Sequence, residues 1–285
     1  MTFQTFLPDL LWEPLVKTAL LEDLGSGGDV TTQALLDPDQ PLSAIFRARK
    51  PGILAGLQGA ALTFTLLDRN VKFLPQKEDG QRIDTGDVLA IVEGNAATVL
   101  AGERTALNLL SHLSGIATTT RQLVDAIEGT RANICCTRKT LPGLKAAQKY
   151  AVRAGGGASH RHRLDDAILI KDNHLALCGG VRPALERARS RAGHLMKVEL
   201  EVDTLDQLAE ALACGGADAY LLDNMSLPEL RQAVQMIDGT AIAEASGGVT
   251  SETVRPIAET GVNIISLGWL THTVKALDIG LDIEG

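Results

Sequence analysis

The second half of this chain repeats one unit, a short apolar run followed by a helical segment. The segments between the runs, such as LDQLAEALAC and LPELRQAVQMI, carry apolar residues at three- and four-residue steps. Repeated strand–helix units predict a parallel sheet, and six or more in succession favour a (β/α) barrel over an open sheet. The predicted strands are ANICCT, AILIK, MKVELEV, AYLLD, AIAEAS and NIISLG.

The first half of the chain has a different pattern of apolar and turn-forming residues. Residues 8–24 have helical spacing, and strand-like runs with Gly and Asp at the turns extend from about 42 to 93. Residues 97–127 predict one long helix or two abutting helices, broken near Ser114-Gly115. We therefore predict an α/β protein in which an N-terminal α+β domain precedes the barrel. The predicted domains are 1–112 and 113–271, and the tail 272–285 is a candidate to pack back on the first.

Polar residues follow every predicted strand of the second half. In a parallel barrel all carboxyl ends of the strands open on the same face, so residues spread over the whole half converge on one mouth. One polar strand end has little meaning, whereas six predict a site. These ends are Thr137-Arg138-Lys139, Lys171-Asp172, Glu201, Asp223-Asn224, Ser246-Gly247-Gly248 and Ser266 to Gly268.

The residue types at this mouth favour anionic ligands. The stretch 137–174 has more Lys and Arg than acids, although the formal charge of the chain is -8. So local a concentration of cations is typical of a site for a small polyanion, whereas nucleic acid calls for a broad basic face. The guanidinium groups of Arg138 and Arg161 suit bidentate binding of carboxylate or phosphate, and Lys139 and Lys171 add charge. A solvated helix explains other cations of the stretch equally well.

Oxygen ligands and glycines complete the predicted site. Glu201 and Asp223 are hard oxygen donors, suited to ribose hydroxyls or to a partly hydrated Mg²⁺. The run Ser246-Gly247-Gly248 precedes a predicted helix and can present backbone N–H groups to a phosphate, although a plain turn has the same composition. Together these features predict a phosphorylated sugar, a metal ion and a second anionic substrate.

The sequence favours a cytoplasmic protein without a membrane partner. No run reaches eighteen apolar residues, and the first residues, MTFQTFLPDLLWEPLV, include acids and prolines in place of a basic segment followed by an apolar one.

Motifs along nearly the whole chain resemble the nicotinate-nucleotide pyrophosphorylase (carboxylating) family, also called quinolinate phosphoribosyltransferases. The resemblance implies an N-terminal α/β domain, an open α/β barrel, and a homodimer in which the partner's N-terminal domain closes each barrel mouth. It also implies Mg²⁺-dependent joining of quinolinate to 5-phosphoribosyl 1-pyrophosphate, giving nicotinate mononucleotide, CO₂ and pyrophosphate. The motifs are EDLGSGGDVTT, RARKPGILAGL, ERTALNLLSHLSGIAT, TRKTLPGLKAAQKYAVRAGGG, LIKDNH, EVDTL, LLDNMS, EASGGVT and ISLGWLTHTVKALDIGL.

The resemblance also assigns roles to residues. It implies that Arg104 reaches into the partner's site, and it makes Lys139, Lys171, Glu201 and Asp223 the catalytic set, with Glu201 and Asp223 at the metal. The residues implied to hold the quinolinate carboxylates are Arg138, His160, Arg161 and Lys171. Those implied to hold the phosphoribosyl pyrophosphate are Lys139, Glu201, Asp223 and Ser246 to Gly248, and Thr137, Leu267 and Gly268 complete the substrate-binding set.

Two positions depart from the family pattern, namely Ser159, where Asn is usual, and Arg163, where Gly is usual. If the family glycine has a positive φ, Arg163 must strain or reshape its loop. Two other enzymes remain as alternatives: the molybdenum-associated paralogue, which lacks the Lys171-Asp172-Asn173-His174 motif present here, and a Schiff-base aldolase using Lys171. A non-catalytic barrel that binds a phosphometabolite is the third alternative.

Overall fold

The structure is a computed structural model that describes residues 7–283. Within these residues the chain forms two compact units. Unit 1 comprises residues 7–121, 140–156 and 270–283, and unit 2 comprises Gln122–Lys139 and Gly157–Trp269. The chain passes from one unit to the other more than once, and the predicted domain boundary after residue 112 falls inside a helix.

Unit 1 combines antiparallel strands with helices. A four-stranded sheet has the order β13-β1-β5-β3, and β2 pairs with β4. The strands are β1 (Pro41–Ala48), β2 (Gly52–Ile53), β3 (Lys72–Pro75), β4 (Arg82–Ile83), β5 (Val88–Asn95) and β13 (Ile279–Ile283). The helices are α1 (Asp9–Leu24), α2 (Val30–Leu35), α3 (Leu57–Leu67), α4 (Ala96–Ala126), of which residues 96–121 belong to this unit, and α5 (Lys145–Ala154).

Aromatic rings fill the core of unit 1 beside the sheet. Phe46 of β1 and Phe64 of α3 are fully buried, and both lie within 6.0 Å of the ring of Phe73. The strand β13, in the C-terminal tail, pairs antiparallel with β1 and places Leu281 opposite Phe46. The tail therefore contributes a strand to this sheet.

The helix α4 is continuous, so the predicted break near Ser114-Gly115 is absent. The hydroxyl of Ser114 accepts a hydrogen bond from the backbone N–H of Ala55 at 3.0 Å, which keeps this polar side chain satisfied inside the core. A Cβ on Gly115 would overlap the backbone oxygen of Lys275. The glycine is thus explained by a close backbone approach and does not end the helix.

Unit 2 is built on seven parallel strands. They are β6 (Asn133–Cys136), β7 (Ala158–Ser159), β8 (Ile168–Ile170), β9 (Val198–Val202), β10 (Ala219–Asp223), β11 (Ile242–Ser246) and β12 (Ile264–Ser266). The helices are α6 (Asp172–Cys178), α7 (Val181–Arg191), α8 (Leu205–Cys214), α9 (Leu227–Ile237) and α10 (Val254–Ala258). A 3-10 helix, Trp269–Thr271, begins at the last residue of this unit and continues into unit 1.

The strand order confirms the predicted open barrel. The order is β7-β6-β12-β11-β10-β9-β8, so β7 and β8, which follow one another in the chain, lie at opposite ends of the sheet. The barrel is therefore open between them. The strand β7 is held by two register pairs with β6, whereas β10 is paired along its length with both of its neighbours.

Side-chain caps fix where the barrel helices begin. Thr204 accepts a hydrogen bond from the N–H of Gln207 at the start of α8, and Ser226 forms a reciprocal capping box with Glu229 at the start of α9. These caps start the helices directly after the strand ends, which leaves the strand-end residues on short loops. Over residues 7–283 no helix is both long enough and apolar enough to cross a bilayer.

Candidate active site

A cavity of about 410 Å³ opens at the carboxyl ends of the unit 2 strands. It has the size of a small-molecule site. Nine of the predicted residues line it: Thr137, Arg138, Lys139, His160, Arg161, Lys171, Glu201, Asp223 and Ser246. Ser266, predicted at the mouth without an assigned role, lines it too, and so do Leu169, Leu221 and Glu244, to which the prediction gives no place in the site.

Five predicted residues are not among those that line the cavity: Arg104, Gly247, Gly248, Leu267 and Gly268. The last four are neighbours in sequence of lining residues and belong to unit 2. Arg104 lies on α4 in unit 1, where its side chain is 63% exposed and its guanidinium is 3.8 Å from Glu103.

Two guanidinium groups lie on the cationic side of the cavity. Arg161 donates through Nη1 to the backbone oxygen of Ala167 at 2.9 Å, which fixes the side chain near the open edge of the barrel. Burial lowers the pKa of Arg161, and the charge of Arg138 lowers it further. The repulsion between these two like charges favours an anion between them.

An ion pair joins the third cation of the cavity to a predicted metal ligand. The Nζ of Lys171 donates to Oε2 of Glu201, whose side chain is 13% exposed. The backbone N–H of Lys171 donates to Nδ1 of His174 at 2.9 Å, so the side chain of His174 caps the start of α6. The cap therefore holds the residue that carries the ammonium group at the strand end.

The carboxylate of Asp223 sits in an unfavourable environment for negative charge. Burial raises its pKa, and the charge of Asp203 raises it further, whereas Lys171 and Lys139 act in the opposite direction. Asn224 donates from Nδ2 to Oδ2 of Asp223 at 2.7 Å and so fixes the orientation of the carboxylate. A cation bound here would relieve the repulsion between the carboxylates.

The glycine loop after β11 is fitted closely to Asn224. Asn224 has a positive φ of 53°, and its N–H donates to the oxygen of Ser246 at 2.9 Å. Gly247 has a φ of 90°, and a Cβ there would overlap the side-chain amide of Asn224. Gly248 has a φ of 60°, and a Cβ there would meet no atom within 4 Å. The first glycine is required by packing, and the second leaves open space.

A second glycine supports Lys139. A Cβ on Gly268 would lie 2.5 Å from Cδ of Lys139, so the lysine stem passes directly over this glycine and would have to move aside for a larger residue. The preceding Leu267 is buried and donates its N–H to the oxygen of Cys135 at 2.9 Å. The N–H of Lys139 donates to the hydroxyl of Thr137 at 3.0 Å. These residues shape the strand-end loop.

His160 connects to two buried carboxylates that the sequence reasoning missed. Its Nε2 is 3.0 Å from Oε2 of Glu199 and 3.6 Å from Oε1 of Glu244, and its Nδ1 accepts from the N–H of Arg161 at 2.7 Å. Burial raises the pKa of Glu244 to about 7, and the charge of Glu199 contributes in the same direction. The alternation of side chains along a strand could have predicted both residues. Glu199 shares a face of β9 with Glu201, and Glu244 shares a face of β11 with Ser246.

The loop that departs from the family pattern carries no left-handed backbone at Arg163. Among the described residues other than glycine, positive φ occurs at Asn224 and Asp238. The carboxylate of Asp166 accepts hydrogen bonds from the N–H groups of His162 and Arg163, at 2.6 and 3.0 Å. The loop therefore accommodates Arg163 without the strain that a positive φ would impose.

Comparisons with known proteins match both halves of the chain. A family model described as quinolinate phosphoribosyl transferase, C-terminal domain, matches residues 116–282, and the corresponding N-terminal domain model matches residues 29–114.

Individual relatives span almost the whole chain. The probable nicotinate-nucleotide pyrophosphorylase [carboxylating] of Bacillus subtilis is 45% identical over 269 residues, covering 94% of this chain and 92% of its own. The nicotinate-nucleotide pyrophosphorylase [carboxylating] of Mycobacterium leprae is 45% identical over 276 residues, covering 94% and 95%. The structure of the Francisella tularensis nicotinate-nucleotide pyrophosphorylase is similar with a TM-score of 0.94, at 37% identity, covering 100% of both chains.

Proposed function

We propose, from the premise that this chain belongs to the quinolinate phosphoribosyltransferase family, that it joins quinolinate to 5-phosphoribosyl 1-pyrophosphate and releases CO₂ and pyrophosphate. Membership makes the chain a phosphoribosyltransferase of NAD biosynthesis. The proposal of these two substrates rests on the charges in the cavity, which has both cationic side chains and carboxylates. Arg138 and Arg161 lie among its cations, and Asp223 lies among its carboxylates.

The cationic part suits the two carboxylates of quinolinate. A guanidinium donates two parallel hydrogen bonds to a carboxylate, so Arg138 and Arg161 are matched to one planar dianion. Lys171 adds a third positive charge, which its ion pair with Glu201 holds in the cavity. Lys139 and the loop from Ser246 to Gly248 would then bind the sugar phosphate, because the glycines of the loop can present backbone N–H groups to it.

Magnesium fits the carboxylate side of the site. Glu201 and Asp223 offer only oxygen donors. Burial, and after it the charge of Asp203, raises the pKa of Asp223, so a bound cation would stabilise its carboxylate. These two residues would hold the ion, directly or through its water ligands. Bound Mg²⁺ would supply positive charge for the pyrophosphate as it departs.

The residues of the chain contribute mainly by positioning and by charge. As pyrophosphate leaves, positive charge develops on the ribose, and the carboxylate of Asp223 stabilises it. Arg138 and Arg161 hold quinolinate so that its ring nitrogen faces the anomeric carbon of the ribose. The positive nitrogen of the pyridinium stabilises the carbanion that remains at C2 when the 2-carboxylate departs as CO₂, and a proton from solvent then completes nicotinate mononucleotide, so that step needs no dedicated acid or base from the protein.

The alternatives considered from the sequence gain no support. A Schiff-base lysine must be free to attack a carbonyl, whereas the Nζ of Lys171 is engaged in an ion pair with the carboxylate of Glu201. The named relatives are pyrophosphorylases, and the comparisons do not favour the molybdenum-associated paralogue.

A homodimer with shared sites is part of the proposal, as is a cytoplasmic location. Arg104 is exposed and does not line the cavity, so a role in substrate binding requires that it enter the site of a second subunit. A two-fold dimer provides this, because each subunit's helix can then cover the other's barrel mouth.

Subunit mixing tests the shared site. Arg104→Ala and Lys171→Ala, each inactive alone, should regain about a quarter of wild-type activity when mixed, because half the dimers are mixed and each has one intact site. Subunit exchange is verified separately by mass spectrometry of differently tagged subunits. A mixture that exchanges subunits and stays inactive would exclude the shared site.

Direct turnover tests the reaction. The protein is incubated with quinolinate, 5-phosphoribosyl 1-pyrophosphate and Mg²⁺, and nicotinate mononucleotide and pyrophosphate are quantified. We expect equal amounts of both products, with loss of product when Mg²⁺ is removed with a chelator and recovery when it is restored. Binding of both substrates without product would instead support a non-catalytic role.

A further inference from the structure

The imidazole of His160 links a buried carboxylate to the backbone that carries Arg161. Its Nδ1 accepts the N–H of Arg161 at 2.7 Å, so the ring proton resides on Nε2, which donates to Glu199 at 3.0 Å. Both ring nitrogens therefore have partners inside the protein in this arrangement. A substrate carboxylate could hydrogen-bond to this ring only by displacing one of them.

The backbone around His160 needs such an anchor. The residue follows β7, a strand of two residues at the open end of the sheet, which is held by two register pairs with β6. The strands that hold Glu199 and Glu244 lie elsewhere in the sheet, and β11 is paired with β10 on one side and β12 on the other. The carboxylates thus connect a weakly paired edge to the better-paired strands of the barrel.

Burial makes these contacts stronger than the same contacts in water. Glu199 is 9% exposed and Glu244 is 5% exposed, and the side chain of His160 is 12% exposed. Hydrogen bonds to charged groups gain strength when water is excluded, and removal of one partner leaves the other unsatisfied. The ring of His160 is therefore held by a buried hydrogen bond to Glu199, and the Glu244 carboxyl lies beside it at 3.6 Å.

We propose that Glu199 and Glu244 are positioning residues for Arg161: they fix the ring of His160, which fixes the backbone of Arg161, so that the Arg161 guanidinium and not the imidazole binds a quinolinate carboxylate. The inference rests on the proposed function. It assigns His160 a positioning role, in contrast to the direct contact that the family resemblance implies. It also gives a role to two acidic residues in a site for a dianion, where their charge would otherwise oppose binding.

A metal ion is the competing interpretation of the same three side chains. Their ligand atoms lie within 4.8 Å of one another, close enough to share one ion. A metal-bound imidazole nitrogen must present its lone pair, however, whereas Nε2 of His160 carries the ring proton when Nδ1 accepts from Arg161. The hydrogen-bond arrangement therefore favours the positioning role, and metal content becomes one outcome of the test.

The test separates the two substrates. Glu199→Met removes the acceptor at similar size, and Glu199→Gln keeps an oxygen that can accept from Nε2 of His160. We expect Glu199→Met to raise the KM and Kd for quinolinate by roughly tenfold or more, with the KM for 5-phosphoribosyl 1-pyrophosphate changed less than about twofold. Glu199→Gln should recover most of the quinolinate affinity. Quinolinate Kd is measured by calorimetry, and folding by circular dichroism.

A second variant covers the case in which Glu199→Met does not fold. His160→Gln keeps a donor toward Glu199 and lacks the Nδ1 acceptor for Arg161, so we expect the same selective loss for quinolinate. The control is Glu210→Met on α8, which removes an exposed glutamate of the same unit and should leave both KM values unchanged.

Three results would overturn the inference. The first is an unchanged quinolinate Kd in folded Glu199→Met or, if that variant does not fold, in His160→Gln. The second is an equal loss of affinity for both substrates. The third is a stoichiometric metal ion in the wild type that Glu199→Met lacks. Failure of the proposed function is distinguishable, because the wild type itself would then form no product.

Discussion

The ammonium of Lys171 and the carboxylate of Glu201 form an ion pair inside the cavity, across the neighbouring strands β8 and β9. The cation proposed to bind substrate and the acid proposed to hold metal thus balance each other's charge in the cavity. Each therefore determines the electrostatic environment of the other, and removal of either leaves a partly buried charge without its partner.

Loss of Lys171 should abolish useful activity without unfolding the protein. Once substrate fills the cavity, removing one partner of its charge pair with Lys171 typically costs about 2–5 kcal/mol, so Lys171→Ala should lower kcat/KM by roughly thirtyfold or more. We expect the same for Arg138→Ala.

The matched control is Lys197→Ala. This substitution removes an ion pair of 2.8 Å between Lys197, whose side chain is 76% exposed, and Asp218. Such surface pairs contribute about 0–1 kcal/mol, so its kinetics should stay normal. Near-normal kinetics in Lys171→Ala or Arg138→Ala would remove that residue from the site.

The two glycines after β11 should respond differently to alanine. Gly247→Ala introduces a Cβ that overlaps Asn224, so the melting temperature of the free protein should fall. Gly248→Ala meets no protein atom, and its left-handed φ costs only about 1–2 kcal/mol. If this loop holds the phosphate, the added methyl group should nevertheless raise the KM for 5-phosphoribosyl 1-pyrophosphate. A wild-type KM in Gly248→Ala would show that substrate does not approach this backbone.

The buried carboxyl of Glu244 should make stability fall as pH rises toward neutrality. Burial and the charge of Glu199 raise its pKa from the ordinary value of 4.5 to about 7, with His160 acting in the opposite direction. Because the folded state then binds a proton that the unfolded state releases, this contribution is fully present below about pH 4.5 and is lost as the pH rises through 7. Between pH 5 and 8, the melting temperature of Glu244→Gln should therefore depend less on pH than that of the wild type. The control Glu210→Gln removes an exposed carboxylate and should keep the wild-type slope.

Asp79 should be important for the stability of unit 1. Its carboxylate accepts from the N–H groups of Gly56 and Leu57, at 2.8 and 3.2 Å, at the start of α3, and from the hydroxyl of Tyr150. Asp79→Ala would leave these donors unpaired in the interior, at a cost of about 1–3 kcal/mol in the free energy of unfolding. Urea titration measures the loss. The control Asp39→Ala, at an exposed turn, should change stability by less than about 0.5 kcal/mol. Equal stability of the two variants would contradict the role of Asp79 as a buried cap.

The alternation of strands and helices in the second half determined the barrel and its functional face. The apolar runs that contain Leu200 and Leu222 predict buried strands, because the local pattern of apolar residues indicates which segments are buried. Because all parallel strands end on one face, this alternation is also sufficient to bring Lys171, Glu201 and Asp223 to one mouth. The open barrel followed from the family motifs.

Tertiary structure alone decided which of these side chains touch one another. Strand alternation gives Glu199 and Glu244 their faces, but their contacts with His160 depend on how strands distant in sequence are ordered around the sheet. The overlap that requires glycine at 247 likewise depends on the positive φ of Asn224, a turn residue of the preceding strand. Local pattern specifies the environment of a residue, whereas its partner is fixed by sheet order and backbone conformation, which the whole fold determines together.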